Sequence, residues 1–169
     1  PAAGGGYFEQ RYALQDGTYL LDYDIRFEGL NQVLDNPDGE VQLQWDAYLD
    51  KIEKNSSYES SLTSMYYKPV DDDPTYCSCT SSDTEEVDEQ ALKWAAAAQQ
   101  FFTTALIADD RFAENSVLAT EVVDDLDQSD YLKKLSAAIK IPVGNSASET
   151  VGMQLYIGPN EFDRLAAVG

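Results

Sequence analysis

Histidine is absent from the 169-residue sequence. That removes the Ser-His-Asp and Cys-His catalytic arrangements, together with the commonest general base and the commonest metal ligand. Cysteine is nearly absent: Cys77 and Cys79, in TYCSCT, are the only two. A C-x-C pair in an extended segment puts both sulfurs on one face with Cα atoms ~6.5–7 Å apart, at the limit for a bridge, so free thiols are expected. Two thiols without imidazole also make a poor zinc site, which wants four ligands. Basic residues are scarce, 11 Lys and Arg against 31 Asp and Glu, for a net charge of −20. A field of that sign repels phosphate backbones and anionic headgroups, which argues against nucleic acid as a partner. No apolar run approaches the ~18 residues of a membrane-spanning helix. The best candidates, residues 94–98 and 101–108, are interrupted by Gln99 and Gln100. The opening PAAGGGYFEQ has neither the basic nor the apolar region of a signal peptide. Residues 1–6 read instead as a linker, left where a longer chain was cut.

What is present is enough to fold. The chain is 43% hydrophobic with 11 Tyr, and its length suits a single domain over residues 1–169. In TYLLDYDIRFEG, the residues Tyr19, Leu21, Tyr23, Ile25 and Phe27 share one face while Asp22, Asp24, Arg26 and Glu28 mostly occupy the other. That is the period-2 pattern of a half-buried strand. YFEQRYAL precedes it, with Asp16-Gly17 suited to a tight hairpin turn. After the NPDG turn, EVQLQWDAYL sets Val41, Leu43, Trp45, Ala47 and Leu49 against Gln42, Gln44, Asp46 and Tyr48, a second strand. Residues 53–88 are rich in Ser, Tyr, Thr and Asp and read as exposed loops around a short strand SMYYK, with TYCSCT a further candidate. SVLATEVV and TVGMQLYIG read as strands. YLKKLSAAIKIPV fits either helix or strand, and its alternation up to Pro142 favours strand. PNEFDRLAAV reads as a helix capped by Asn160, with Glu161 and Asp163 in the first turn and Phe162, Leu165 and Ala166 on one face. The fold class expected is therefore mainly β, with a short C-terminal helix.

Chemistry is sparse. Asp71, Asp72 and Asp73 lack the alternating ligands and glycine of a calcium loop and read as a solvated turn. AAGGGY is followed by no helix signal and makes no phosphate loop. Glu85-Glu86 and Asp124-Asp125 lie in polar surroundings and read as surface acids rather than catalytic pairs. Trp45 and Trp94 are candidates for stacking on sugars, but their apolar strand settings favour packing in the core. Tyr58, Tyr66, Tyr67 and Tyr76 have the amphipathic composition of a binding surface or of edge strands alike. No catalytic residue, cofactor site or metal site is assigned.

ALKWAAAAQQFFTTALIADD, residues 91–110, has the alanine content of a helix and the flanks of two strands meeting at Gln99-Gln100. Trp94, the Gln99-Gln100 pair, Phe101-Phe102 and Ile107, followed later by Tyr156-Ile157-Gly158-Pro159 and by Phe162 and Leu165, resemble the large periplasmic domain of the bacterial membrane protein insertase YidC. FEQRYALQDGTYLLDYDIRFEGL fits the strand, hairpin and long strand near the middle of that domain. The resemblance covers almost the whole chain but only the second portion of the family's periplasmic domain. Ala108 replaces a proline, and the Cys-Ser-Cys loop has no known role in the family. It implies a β-supersandwich in which residues 91–110 form a hairpin, a cost that sheet burial offsets because the β-propensity scale spans only ~1 kcal/mol.

The resemblance further implies a non-catalytic fragment of an inner-membrane protein, on the periplasmic face. Docking or spacing would be its role, beside the Sec translocon and its associated periplasmic domains. Nascent membrane proteins would be handled by transmembrane helices outside this sequence. Phe162 and Leu165 would then form the packing face of a helix leading toward the membrane. The rival reading is a carbohydrate-binding or mutarotase-like supersandwich, which requires an exposed Trp in a concave sheet, where the insertase reading expects Trp94 buried.

Overall fold

The structure, a computed structural model, describes residues 5–14, 16–31, 33–34 and 39–160. Two antiparallel sheets face each other. The larger is built from β1 (Tyr7–Leu14), β2 (Leu20–Glu28), β4 (Ser64–Pro69), β5 (Thr75–Tyr76), β7 (Leu92–Ala98), β8 (Phe102–Ala108) and β11 (Ser148–Pro159). Its strand order is β1-β2-β11-β8-β7-β4-β5. The smaller contains β3 (Glu40–Leu49), β6 (Asp83–Val87), β9 (Ser116–Val122) and β10 (Lys133–Pro142), in the order β3-β10-β9-β6. The expected β-sandwich is what forms.

Alternation decides which side chains enter the core. Tyr23, Ile25 and Phe27 of β2 point inward and are buried, together with Met65, Tyr67, Leu106 and Met153 from the same sheet. From the smaller sheet they meet Leu118, Leu135, Ala137, Ile139 and Ile141, while Val41, Leu43, Trp45, Ala47 and Leu49 of β3 pack against the cluster half-buried. Within the ambiguous segment 131–143, Lys133–Pro142 form the strand β10, buried at every second residue from Lys133 to Ile141. Gly17 takes φ +72° in the connection between β1 and β2, and Gly39 takes φ +70° directly before β3. Both are conformations that favour glycine.

Residues 91–110 form the hairpin. β7 and β8 pair antiparallel from Trp94–Ile107 to Ala98–Thr103, and the Gln99 amide donates to the Phe102 carbonyl at 2.8 Å. Two elements inside the stretch expected to be loop are regular. β6 is an edge strand in which only Val87 is buried, so its acidic residues gave no apolar alternation. The helix α1 (Ser56–Ser61) is set by the Asn55 side chain, which accepts from the Tyr58 amide, and by buried Glu59, whose carboxylate accepts the amides of Ile52 and Glu53 at 3.2 and 3.1 Å. Gly6, in the segment read as linker, is buried. The helix expected from Asn160 onward, with Phe162 and Leu165, lies outside the described residues. No described helix is long and apolar enough to cross a membrane.

Candidate functional site

The alanine run builds an apolar groove on the outer face of the large sheet. In β7, Ala95 and Ala97 face the core, so Trp94, Ala96 and Ala98 face the opposite side of the large sheet. β8 puts Thr103, Ala105 and Ile107 on that same outer face, and β11 adds Tyr156. Ala96 pairs directly across from Ala105, and Ala105 from Tyr156. Two methyl side chains thus lie at the centre of a row whose neighbours, Tyr66, Trp94 and Tyr156, are large. The small floor between tall aromatic walls leaves a cavity of about 420 Å³.

Leu62 and Tyr66 complete its apolar lining, and the rim carries Gln99, Gln100, Thr103 and Asn160. Those rim groups are largely committed to the local backbone. Asn160 donates from Nδ2 to the carbonyls of Gln99 and Gln100 at 2.8 and 3.3 Å, and accepts the Thr103 hydroxyl at 2.6 Å. The Gln99 side chain donates to the Asp50 carbonyl at 3.0 Å. Tyr156, buried, donates to the Pro159 carbonyl at 2.5 Å. Burial pushes the Tyr66 phenol above its ordinary pKa, with the neighbouring Cys79 and Tyr76 adding to the effect, so the wall is neutral at physiological pH. An uncharged apolar slot with occupied polar groups suits an apolar side chain rather than a polyol or an anion.

The residues singled out in the sequence distribute unevenly over this geometry. Trp45 packs half-buried against the main core, as its strand pattern implied. Trp94 does not enter the core. It stands half-buried on the outer face as a wall of the groove, because strand parity gives the inward positions to Ala95 and Ala97. Tyr66 and Tyr76 are in ring contact, with centroids 5.2 Å apart, whereas Tyr67 is buried on the core side. Tyr58 is exposed on α1. Asp71, Asp72 and Asp73 are exposed, and Asp72 is engaged by Lys68 and Gln90. No group of three potential metal ligands occurs among the described residues. Glu85 and Glu86 follow one another along β6 and so point to opposite faces, and Asp124 and Asp125 are exposed in a loop. Cys77 and Cys79 are free thiols, Cys77 buried and Cys79 half-buried. Ala96 and Ala105 were not singled out in the sequence. The available signal was a run of small residues in a strand, which is visible only once the strand is accepted.

Comparison with known proteins agrees with the fold. The family profile of the YidC periplasmic domain matches residues 1–169. The membrane protein insertase YidC of Phocaeicola vulgatus is 30% identical over 164 residues, covering 97% of this chain and 26% of its own length. That of Bacteroides fragilis is 28% identical over 167 residues, 99% of this chain and 26% of its own length. That of Porphyromonas gingivalis is 25% identical over 161 residues, 95% of this chain and 25% of its own length. The chain therefore spans about a quarter of the length of these relatives.

Proposed function

The chain belongs to the YidC periplasmic domain family, and from that membership we propose that it is the non-catalytic periplasmic part of a membrane protein insertase, held at the periplasmic face of the inner membrane. Residues 1–169 act as one domain, the C-terminal portion of that protein's periplasmic region. Its work is docking and spacing. It presents its surface to the Sec translocon and associated periplasmic domains, while nascent membrane proteins are handled by the membrane-embedded part outside this sequence.

One observation carries the docking role. The apolar groove on the outer face ends at Asn160, whose backbone and side chain are clamped to the β7–β8 turn by the bonds to Gln99, Gln100, Phe101 and Thr103. The next residues, EFDRLAAVG, supply Phe162 and Leu165 three positions apart. On this reading Phe162 and Leu165 would be the side chains that the groove between Trp94, Tyr66 and Tyr156 receives, which would fix the direction in which the polypeptide leaves the sandwich. That holds the domain at a set position relative to the membrane-embedded part.

The test uses the full-length insertase in cells depleted of their own. Phe162→Asp with Leu165→Asp, and separately Ala96→Leu with Ala105→Leu, are expected to lower insertion of a Sec-dependent membrane protein several-fold while the purified domain keeps its sheet circular dichroism. Normal insertion by both variants would overturn the docking role. A glycan-binding reading draws on the half-exposed Trp94 beside amide side chains, yet the Asn160 and Gln99 amides already donate to backbone carbonyls. Glycan-array binding lost in Trp94→Ala would favour that reading instead.

A further inference from the structure

The turn between β7 and β8 presents two phenylalanines to the outside. Phe101 and Phe102 are each half exposed, and the stretch Gln99-Gln100-Phe101-Phe102 carries no charge. Backbone carbonyls of a surface turn are commonly left to water. Here all four are taken from within the chain. Asn160 donates from Nδ2 to the carbonyls of Gln99 and Gln100, and from its backbone amide to that of Phe101 at 2.8 Å. The Gln99 amide donates to the carbonyl of Phe102, also at 2.8 Å. A tip with apolar rings outside and its acceptors occupied from inside suits surroundings poor in water. The same end of the large sheet exposes Leu62, together with Ile52, two residues beyond the Asp50 carbonyl that the Gln99 side chain holds.

Charge is distributed the opposite way. β8 climbs from the tip to Ala108, about 20 Å, and Asp109 and Asp110 follow at its far end. Antiparallel pairing of β4 with β7 puts Asp71, Asp72, Asp73, Asp88 and Glu89 at that far end as well. All seven are exposed, against the basic side chains of Lys68, Lys93 and Arg111. The acids of the near end, Asp124, Asp125, Asp127 and Asp130, belong to the β9–β10 loop of the small sheet. We infer that the β7–β8 tip rests in the interfacial zone of the bilayer, with Phe101 and Phe102 among the headgroups and first acyl carbons, roughly 5–10 Å deep. The inference rests on the reading of the chain as the periplasmic part of an insertase, which sets it beside a membrane. Anionic headgroups repel a domain of net charge −20 wherever it is acidic, so the uncharged apolar end is the one that approaches them. Two rings bind lipid weakly, and the connection to the membrane-embedded part keeps them at high effective concentration near it. The contact sets the tilt of the sandwich.

The test uses the full-length insertase reconstituted in vesicles of phosphatidylethanolamine with a minor share of phosphatidylglycerol. A benzophenone side chain is placed at position 101, at position 52 or, at the far end, at position 72 or 109, and phospholipid adducts are read by peptide mass spectrometry. Adducts at 101 are expected to exceed those at 72 and 109 at least ~10-fold. Phe101→Ser with Phe102→Ser is expected to lower the adducts at 52 several-fold while the domain stays as resistant to trypsin as in the wild type. Adducts at 101 no more frequent than at 72 and 109, or crosslinks from 101 to protein alone, would overturn the inference. So would adducts at 52 that the double serine variant leaves unchanged. The docking role fails separately, through normal insertion by Phe162→Asp with Leu165→Asp. Lipid adducts at 101 alongside that normal insertion keep the membrane contact standing, whereas lost insertion without lipid adducts at 101 sinks the contact alone.

Discussion

The Nζ atom of Lys133 lies 2.9 Å from the carbonyl oxygen of Cys79 and donates a hydrogen bond to it. Its other two protons go to the carbonyls of Ser60 and Thr63 at 2.7 and 2.8 Å. A fully buried lysine at a core-facing position of β10 thereby ties α1 and the Cys-Ser-Cys loop to the smaller sheet. Lys133→Met leaves three carbonyls without a donor, and a buried unsatisfied acceptor costs about 1–3 kcal/mol. The variant is expected to lose about 2–4 kcal/mol in urea unfolding followed by circular dichroism.

Burial also lowers the Lys133 pKa from 10.5 to about 8. Between those values the unfolded chain holds the proton and the folded chain releases it, so this group's contribution to stability rises with pH across the window from 8 to 10.5. The stability difference between the wild-type protein and Lys133→Met is therefore expected to shift in favour of the wild type from pH 8 to pH 10. A difference that shrinks over this range would contradict the assignment.

Cys77 behaves oppositely. Burial, with Asp83 and Glu85 nearby, pushes its thiol from 9.0 up to about 12. Its raised pKa contributes stability that is complete below pH 9 and is lost as the pH rises toward 12, because the unfolded thiol ionises first. Thiol exposure follows the same division. Iodoacetamide at pH 8 is expected to add one group per chain, on half-buried Cys79, and a second only in denaturant, as read by mass spectrometry.

Gly6 is closed in by backbone. A Cβ added there would lie 2.7 Å from the Gly29 carbonyl oxygen and 2.9 Å from that of Glu28, atoms that move only if the β1–β2 pairing shifts. Gly6→Ala is expected to destabilise the domain by about 1–3 kcal/mol. Gly5→Ala would relieve no such contact and create none, although its φ of +86° makes any side chain strained there.

The strands β2, β3 and β11 were legible because each keeps its apolar residues on one face over most of its length, and one buried face suffices to write that pattern. β10 was half legible: its two consecutive alanines blur the alternation, and the buried Lys133 breaks its apolar parity. β7 was not legible from its residues, since four alanines carry no contrast between faces, and only the resemblance indicated a hairpin. β6 was hidden for the opposite reason, as an edge strand that buries a single residue. The groove was out of reach altogether. It depends on Ala96 and Ala105 falling opposite each other on separate strands, between aromatic residues contributed by two others.

The docking of the terminal segment is tested most directly by photocrosslinking in the full-length insertase. A benzophenone side chain at position 162 is expected to crosslink to groove residues, Leu62, Tyr66 or Trp94, identified by peptide mass spectrometry, and to lose those products when Ala96→Leu and Ala105→Leu fill the floor. Crosslinks confined to other surfaces, with or without the filled floor, would contradict the claim that this groove holds the segment leading toward the membrane.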